Sequence, residues 1–287
     1  MEAMNLNAIA ITALAMTAFA ANSVLCRLAL GAHLIDAASF ATVRVIAGAV
    51  VLAALMIPRW RGRTRASADW RMVLTLFAYM VFFSFAYITL STGTGALILF
   101  GAVQLTMFGV ALRSGERFGA ISWAGLIIAF AGLIYLVSPG VTAPDPSGAL
   151  LMAVAGFAWG VYSLLGRSVA DPLEATANNF IFCVPLVIAV SLMFFADYNV
   201  TPGGVMLAAA SGGVASGIGY AIWYKALQGL TATRAATVQL SVPAIAALGG
   251  VLLIAEDLTT RLVVASAATL GGVWIVLAHR TKSGGLE

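Results

Sequence analysis

The sequence contains few charged residues, and this scarcity limits the classes of protein to which it can belong. Lys and Arg number 15 and Asp and Glu number 11 in 287 residues, so that 9% of the chain is charged. Soluble domains contain about 25% charged residues. Hydrophobic residues make up 62% of the chain, and the mean hydropathy is +1.02. A soluble protein of this length could not cover its surface with so few charges, so we expect a membrane protein.

Cysteine and histidine are also scarce, which disfavours metal centres and disulfide frameworks. Cys26 and Cys183 lie in apolar runs, and neither has a Cys or His neighbour at metal-ligand spacing. We expect two packed thiols, with no metal and no cofactor. The net charge of +4 requires no nucleic-acid partner, because membrane topology explains its distribution along the chain.

Apolar runs recur along the whole chain at about the 18–22 residues that a helix needs to cross a bilayer. The fold class that they predict is an all-α polytopic membrane protein with ten transmembrane helices. The predicted helices lie near 8–28, 37–57, 71–90, 95–112, 120–138, 148–168, 178–196, 206–228, 235–254 and 262–279.

The basic residues divide unequally between the two sides of this ten-helix arrangement. Arg27 and Arg261 fall on one side, and Arg44 falls inside the second helix. The other side receives Arg59, Arg61, Arg63, Arg65, Arg71, Arg113, Arg117, Arg167, Lys225, Arg234, Arg280 and Lys282. By the positive-inside rule this second side is cytoplasmic. We therefore expect a multi-pass protein of the bacterial inner (plasma) membrane with both termini in the cytoplasm.

The chain carries a weak internal repeat with an offset of 140 residues, which links Glu116 to Glu256. Other matched pairs are Ser23 with Ser163, Arg27 with Arg167, Phe40 with Phe180, and Gly132 with Gly272. The repeats would be residues 1–140 and 141–287, each with five helices. Because five is odd, the second copy inserts upside down, as in many secondary transporters whose substrate site lies between inverted repeats.

Glu116 and Glu256 each follow one predicted helix and stand next to the first turn of another. A carboxylate there interacts well with the exposed N–H groups and the positive end of the helix dipole. The simplest role is therefore an N-terminal cap on the helix that follows. A gating role for either glutamate is the alternative.

The paired glutamates, the glycine-rich fifth and tenth helices and the segment 226–259, with its central Pro243, resemble a known group of transporters. The whole chain resembles the drug/metabolite transporter superfamily in its ten-helix EamA-type branch, and within it the bacterial exporters of aromatic amino acids. This resemblance implies a basket-shaped fold, a cavity lined mainly by helices 1, 3, 4, 6, 8 and 9, and amino-acid export. The family often has a proline in helix 4 as well, but this chain has Val103 at that place.

Aromatic and polar residues occur on those cavity helices, where they could enclose an apolar side chain and hydrogen-bond a carboxylate or an ammonium group. Tyr79, Phe83 and Tyr87 follow one another at four-residue steps on one helix face. The predicted substrate-binding residues are Phe19, Asn22, Tyr79, Phe83, Phe100, Gln104, Trp159, Tyr162, Tyr220, Trp223, Gln239 and Ser241. The alternative for each aromatic residue is a packed or lipid-facing position.

Arg44, Glu116, Pro243 and Glu256 are predicted structural or gating residues. Arg44 lies well inside the second helix, and a charge within the membrane suggests function. It could instead extend towards the membrane surface or pack. Asp36, eight residues earlier, could support it through water.

These features predict a monomeric carrier that lies in the lipid bilayer and exports amino acids with aromatic and other neutral side chains by alternating access. No Asp, Glu or His stands in the middle of a predicted span, so transport should need no proton coupling, and coupling through Arg44, Lys225 or Glu256 is the alternative. A multidrug or other metabolite exporter on the same fold is the alternative. An enzyme is not expected, because the tight acidic pairs Asp171–Glu174 and Glu256–Asp257 lie at helix ends without a nearby histidine.

Overall fold

The computed structural model describes residues 6–60, 68–116, 118–167, 169–228, 230 and 232–279, and helices account for most of them. Arg61, Arg63, Arg65, Arg117, Arg280 and Lys282, which entered the charge count, lie outside the described residues. The α-helices are α1 (Leu6–Gly31), α2 (Ala37–Trp60), α3 (Trp70–Ala86), α4 (Thr92–Arg113), α5 (Ala120–Val137), α6 (Pro146–Gly166), α7 (Pro172–Met193), α8 (Pro202–Ala209), α9 (Gly219–Leu227), α10 (Ala232–Gln239), α11 (Ser241–Ile254) and α12 (Thr260–Ala278). A π-helical segment (Ala210–Ile218) joins α8 to α9.

These elements make ten apolar passes, which confirms the prediction of an all-α polytopic membrane protein. Within the described ranges, nine helical stretches are long and apolar enough to cross a membrane, and α3 is a shorter apolar helix of 17 residues. The eighth pass consists of α8, the π segment and α9, and the ninth of α10 and α11. Because successive passes alternate in direction, the bundle has an end that contains Arg27, here called the Arg27 end, and an opposite end that contains Arg59.

The seventh pass begins six residues earlier than the sequence predicted. Pro172 occupies the first turn of α7, and the Asp171 carboxylate accepts hydrogen bonds from the N–H groups of Leu173 and Glu174, both at 3.1 Å. A capped start of this kind lets polar residues occupy a helix that hydropathy alone would shorten. The polar stretch between Pro172 and Asn178 is therefore helical.

The ninth pass is interrupted at Leu240, between α10 and α11. Pro243 lies in the first turn of α11, where its missing N–H removes no hydrogen bond within that helix. In a helix that continued through Gln239, the carbonyl of Gln239 would lack the N–H that a residue other than proline would donate. The fourth pass has Val103 instead of a proline, and α4 runs without interruption from Thr92 to Arg113. The two passes therefore differ as the missing proline predicts.

The passes pack around α1 and α6. Helix α6 contacts α3 and α4, whereas α1 contacts the eighth pass and α11. The remaining major contacts join α2 to α7, α4 to α11, and α5 to α12. One large hydrophobic core extends through most of these helices, and a smaller one lies beside α12.

Helices α5 and α12 approach closely at a pair of glycines. A Cβ atom on Gly272 would lie 2.5 Å from the backbone nitrogen of Ala129, and one on Gly125 would lie 2.7 Å from the carbonyl oxygen of Gly272. A backbone atom cannot move aside as a flexible side chain can, so only glycine fits at these two places. Small residues serve in this way at helix contacts in membranes, because they let backbones approach.

Gly272→Ala should therefore lower the stability of the protein by about 1–3 kcal/mol, the usual cost of overpacking. Gly271→Ala is the matched control, because nothing lies within 4 Å of a Cβ atom at that position. The control should be neutral or slightly stabilising, since alanine favours helix over glycine. Unfolding of the purified variants in detergent micelles measures both effects, and equal midpoints would contradict the close contact.

Candidate functional site

Trp159 of α6 lies at the centre of a group of aromatic rings that come from several passes. Its ring centroid is 4.9 Å from that of Tyr79 on α3 and 5.4 Å from that of Tyr162 one turn along α6. Tyr220 of the eighth pass stacks on it at 5.5 Å, with the two ring planes 21° apart. The half-buried indole therefore has aromatic neighbours from α3, α6 and α9.

Further rings extend this group on both sides. Phe19 of α1 lies 5.8 Å from both Tyr220 and Trp223, Phe180 of α7 lies 6.1 Å from Tyr220, and Phe83 lies 5.4 Å from Tyr79. We call these eight residues the central aromatic cluster: Phe19, Tyr79, Phe83, Trp159, Tyr162, Phe180, Tyr220 and Trp223. Seven of the eight were predicted from the sequence, and Phe180 was not.

A buried network of hydroxyl groups joins the cluster to α7. The Tyr162 hydroxyl lies 3.2 Å from the Thr176 hydroxyl, which lies 2.8 Å from the Tyr224 hydroxyl. The side-chain amide of Asn179 donates to the Tyr162 oxygen at 3.3 Å. The sequence analysis missed Thr176 because it began the seventh helix at residue 178, and it did not single out Asn179, which lies inside that predicted helix. The adjacent asparagines 178 and 179 in an apolar run were the pattern that could have revealed them.

Asn22 of α1 lies beside the cluster and binds the π segment. Its side-chain oxygen accepts hydrogen bonds from the hydroxyl groups of Ser211, at 2.8 Å, and Ser216, at 3.3 Å. All three side chains are buried. Runs of π-helix are rare and frequently mark functional sites. The predicted site residue Asn22 therefore holds the first pass against an irregular part of the eighth.

Arg44 of α2 is completely buried, at 0% exposure, so it does not extend towards the membrane surface. Its Nη2 donates to the Tyr79 hydroxyl at 3.1 Å, and its guanidinium carbon lies 4.6 Å from the centroid of the Phe83 ring. The Nε and Nη1 groups have no hydrogen-bond partner in the part of the chain that the structure describes. The cation thus lies at the edge of the central aromatic cluster.

Asp36 is bonded to residues other than Arg44, and its support of Arg44 through water stays a prediction. Its carboxylate caps the start of α2 by accepting from the Ser39 N–H at 2.8 Å, and it accepts from the Asn199 N–H at 3.2 Å. These bonds hold it at the Arg27 end of the bundle, in the connection between passes.

Besides Asn22, four predicted residues are not joined to the cluster by any ring contact or hydrogen bond found among the described residues. Phe100 is buried in α4, and Gln104 is half-buried one turn further on. Gln239 donates to the carbonyl of Ala235 at 3.2 Å, and the exposed Ser241 donates to that of Val238 at 2.7 Å. Both polar side chains therefore bind the backbone of their own pass.

Glu256 binds two distant passes at the Arg27 end. Its two oxygens accept from the Thr92 N–H, at 3.1 and 2.9 Å, and so cap α4. Its Oε1 also lies 3.2 Å from Nε of Arg27 on α1. Arg27 in turn donates from Nη1 to the carbonyls of Tyr87 and Ile88, at 3.3 and 3.0 Å, in the connection after α3. We call this set of contacts the Arg27–Glu256 clamp.

The prediction that Glu256 caps the helix after it was therefore wrong. The chain turns at Ala255, whose φ of 55° is left-handed, and the glutamate extends away from α12. Helix α12 is capped instead by Thr259, whose hydroxyl accepts from the Leu262 N–H at 3.2 Å. Glu116 lies in the turn after α4, and its predicted capping role stays a prediction.

Ten apolar passes around a buried aromatic, hydroxyl and guanidinium site define a multi-pass helical membrane protein. Residues 146–278 match the EamA-like transporter family. Over this second half the chain resembles the family, and its class is that of a membrane transporter.

Related proteins cover most of the chain. An uncharacterized protein of Pseudomonas aeruginosa is 48% identical over 270 residues, which are 94% of each chain. An uncharacterized transporter of Archaeoglobus fulgidus is 28% identical over 210 residues, covering 70% of this chain and 74% of its own length. The uncharacterized transporter YwfM of Bacillus subtilis is 24% identical over 258 residues, 85% of each chain. The two uncharacterized transporters support the transporter class, and none of the three names a substrate.

A solved crystal structure has the same fold. It superposes with a TM-score of 0.67 over 96% of this chain and 99% of its own, at 19% sequence identity. At that identity the likeness establishes the arrangement of the helices alone.

The Arg27–Glu256 clamp should behave as one energetic unit. Arg27→Ala and Glu256→Ala should each destabilise the protein, and the double variant should lose less than the sum, because either change alone already breaks the pair. For contacting residues the coupling free energy is about 0.5–3 kcal/mol. Equilibrium unfolding of the three variants in detergent micelles gives this value.

The control cycle uses Arg59 and Asp171 at the opposite end of the bundle. Their atoms lie 3.3 Å apart, but the side chains are 58% and 41% exposed, so solvent screens the pair. Exposed pairs couple by about 0–1 kcal/mol. Coupling between Arg27 and Glu256 no larger than that of the control would contradict the clamp.

Proposed function

We propose that the protein is an inner-membrane carrier that exports amino acids, aromatic and other neutral ones, by alternating access. The observation that carries this proposal is the position of Trp159, whose indole lies against rings from α3 and α9 and so from both halves of the chain. Stacked aromatic rings bind flat apolar groups, while nearby hydroxyl, amide and guanidinium groups bind polar ones. The resemblance of the sequence to the bacterial aromatic amino acid exporter YddG supports the same substrate class.

An inverted repeat of residues 1–140 and 141–287 is supported by the pattern of helix contacts. Exchanging each of the first five passes for its counterpart turns the α3–α6 contact into that of the eighth pass with α1, and the α4–α6 contact into that of α11 with α1. The pairs α2–α7, α4–α11 and α5–α12 exchange with themselves. All of these contacts are present. A two-fold axis of this kind places a substrate site between the halves.

Alternating access requires contacts that close one side of the site and can break. The Arg27–Glu256 clamp joins α1, α4 and α11 at one end of the bundle. The excess of basic residues at the opposite end supports a periplasmic position for the Arg27 end and a cytoplasmic position for both termini. The clamp would then open when the substrate leaves the cell, and one chain would be sufficient for transport.

No Asp, Glu or His stands in the middle of a transmembrane pass in the ranges that the structure describes. Proton-coupled carriers usually hold a titratable group within the membrane. The proposed carrier therefore moves its substrate down the gradient of that substrate. A proton flux that follows substrate flux in sealed vesicles would overturn this part of the proposal.

Counterflow in proteoliposomes tests the substrate class. Vesicles loaded with unlabelled tryptophan should take up labelled tryptophan through the wild-type protein. Trp159→Ala should reduce this rate about tenfold or more, because stacking of the substrate ring on an indole contributes more than about 1 kcal/mol. Trp274→Ala is the matched control. Trp274 is 55% exposed on α12, away from the cluster, and its variant should retain the wild-type rate.

A multidrug exporter is the second candidate, favoured by the nearly parallel rings of Trp159, Tyr162 and Tyr220. Expression in bacteria distinguishes the two candidates. Protection against toxic amino-acid analogues supports the first, whereas protection against planar cationic dyes supports the second. The absence of tryptophan counterflow through correctly folded protein, together with dye resistance, would replace the amino-acid proposal.

A further inference from the structure

We propose that Arg44 binds the carboxylate of the transported substrate, so that a carboxylate next to a flat aromatic group defines the substrate class. This inference rests on the proposed function and deepens it, because the transporter class alone says nothing about charge. The sequence allowed either packing or a role near the substrate for Arg44, and the structure supplies three observations that favour the second.

The first observation is that the guanidinium group is buried but only partly bonded. A guanidinium has one hydrogen on Nε and two on each Nη nitrogen. Nη2 bonds to Tyr79, while Nε and Nη1 have no partner among the described residues. Buried N–H groups are nearly always hydrogen-bonded, so an unpartnered pair on a cation indicates a ligand that bonds there in the working cycle.

The second observation is the lack of a compensating charge. None of the ion pairs found in the described ranges involves Arg44, and Asp36 on the same pass is engaged elsewhere. The rings of Phe83 and Tyr79, at 4.6 and 5.4 Å, compensate the buried cation in part. A substrate carboxylate would supply both the missing negative charge and the missing hydrogen-bond acceptors.

The third observation is that a single residue, Tyr79, separates Arg44 from the ring of Trp159. Tyr79 accepts a hydrogen bond from Arg44, and its ring lies 4.9 Å from the Trp159 ring. The cation is thus one aromatic residue away from the indole. A molecule with an aromatic group two or three bonds from a carboxylate has the right dimensions to reach both.

The ammonium group of an amino acid would find weaker partners in this site than the carboxylate does. The cluster offers it no carboxylate, only hydroxyl, amide and ring-face partners, which are weaker. The carboxylate should therefore contribute more to recognition than the ammonium group, and a deaminated aromatic acid should still bind.

Four small molecules test the inference with the purified full-length protein: tryptophan, tryptophanamide, indole-3-propionate and indole-3-propionamide. Binding to the wild type is measured by titration calorimetry. Each acid should bind at least about tenfold more tightly than its amide, as expected for a hydrogen bond to a charged group. In Arg44→Gln the acid and the amide should bind equally, because the variant has no cation.

Arg71→Gln is the control, since Arg71 is an arginine at the start of α3 whose side chain is 77% exposed and pairs with Asp69. It should keep the wild-type preference for acids. The wild-type comparison requires no variant, so the inference remains testable even if Arg44→Gln does not fold.

The outcomes separate this inference from the proposed function. Equal binding of acid and amide to the wild type would overturn the role of Arg44 and leave amino-acid transport standing. Binding of indole-3-propionate without tryptophan would support Arg44 and overturn the amino-acid proposal. A preference for acids that persists in a folded Arg44→Gln protein would assign the carboxylate to another residue. If none of the four compounds binds, both proposals fail.

Discussion

The structure depends on one constraint of the bilayer: a polar group in a transmembrane pass must find its partner inside the protein. Asn22 meets Ser211 and Ser216, and Thr176 meets two tyrosines, so each of these buried groups joins passes that are far apart in sequence. Apolar packing alone gives helices in lipid little preference among neighbours, because lipid is as apolar as leucine. The polar pairs therefore help to decide which passes meet at the centre. Among the described residues, this constraint leaves two buried side chains with unpaired polar atoms, the Arg44 guanidinium and the Thr92 hydroxyl.

Glycine makes the central contacts close enough for those pairs to form. A Cβ atom on Gly212 would lie 2.8 Å from the Cα atom of Arg44, and one on Gly48 would lie 2.7 Å from Cδ1 of Phe180. The π segment thus lies directly against the backbone of α2. The backbones touch there, so no space remains between them for a side chain. The guanidinium of Arg44 lies instead over the rings of Tyr79 and Phe83.

The sequence predicted what depends on local composition. The length of the apolar runs gave the number of passes, and the aromatic residues on the helices that the family resemblance assigns to the cavity gave most of the aromatic cluster. It could not give the destination of Glu256, because a left-handed turn at Ala255 directs that side chain to a helix 164 residues away in sequence. Thr176 was missed for a related reason: a capped helix start brought polar residues into the bundle that hydropathy had placed outside it.

The clamp and the candidate site are connected through one face of α3. The rings of Tyr79, Phe83 and Tyr87 follow one another at 5.4 and 4.8 Å, from the partner of Arg44 to the residue whose carbonyl accepts from Arg27. The Tyr87 hydroxyl also donates to the carbonyl of Thr92, the residue whose N–H group Glu256 caps. A displacement of Tyr79 would thus act on the clamp from two directions. Because packed interiors transmit small shifts between discrete arrangements, a carboxylate that binds Nε and Nη1 of Arg44 and thereby shifts Tyr79 would weaken the closure at the Arg27 end. The same substrate group would then both bind the site and favour its opening.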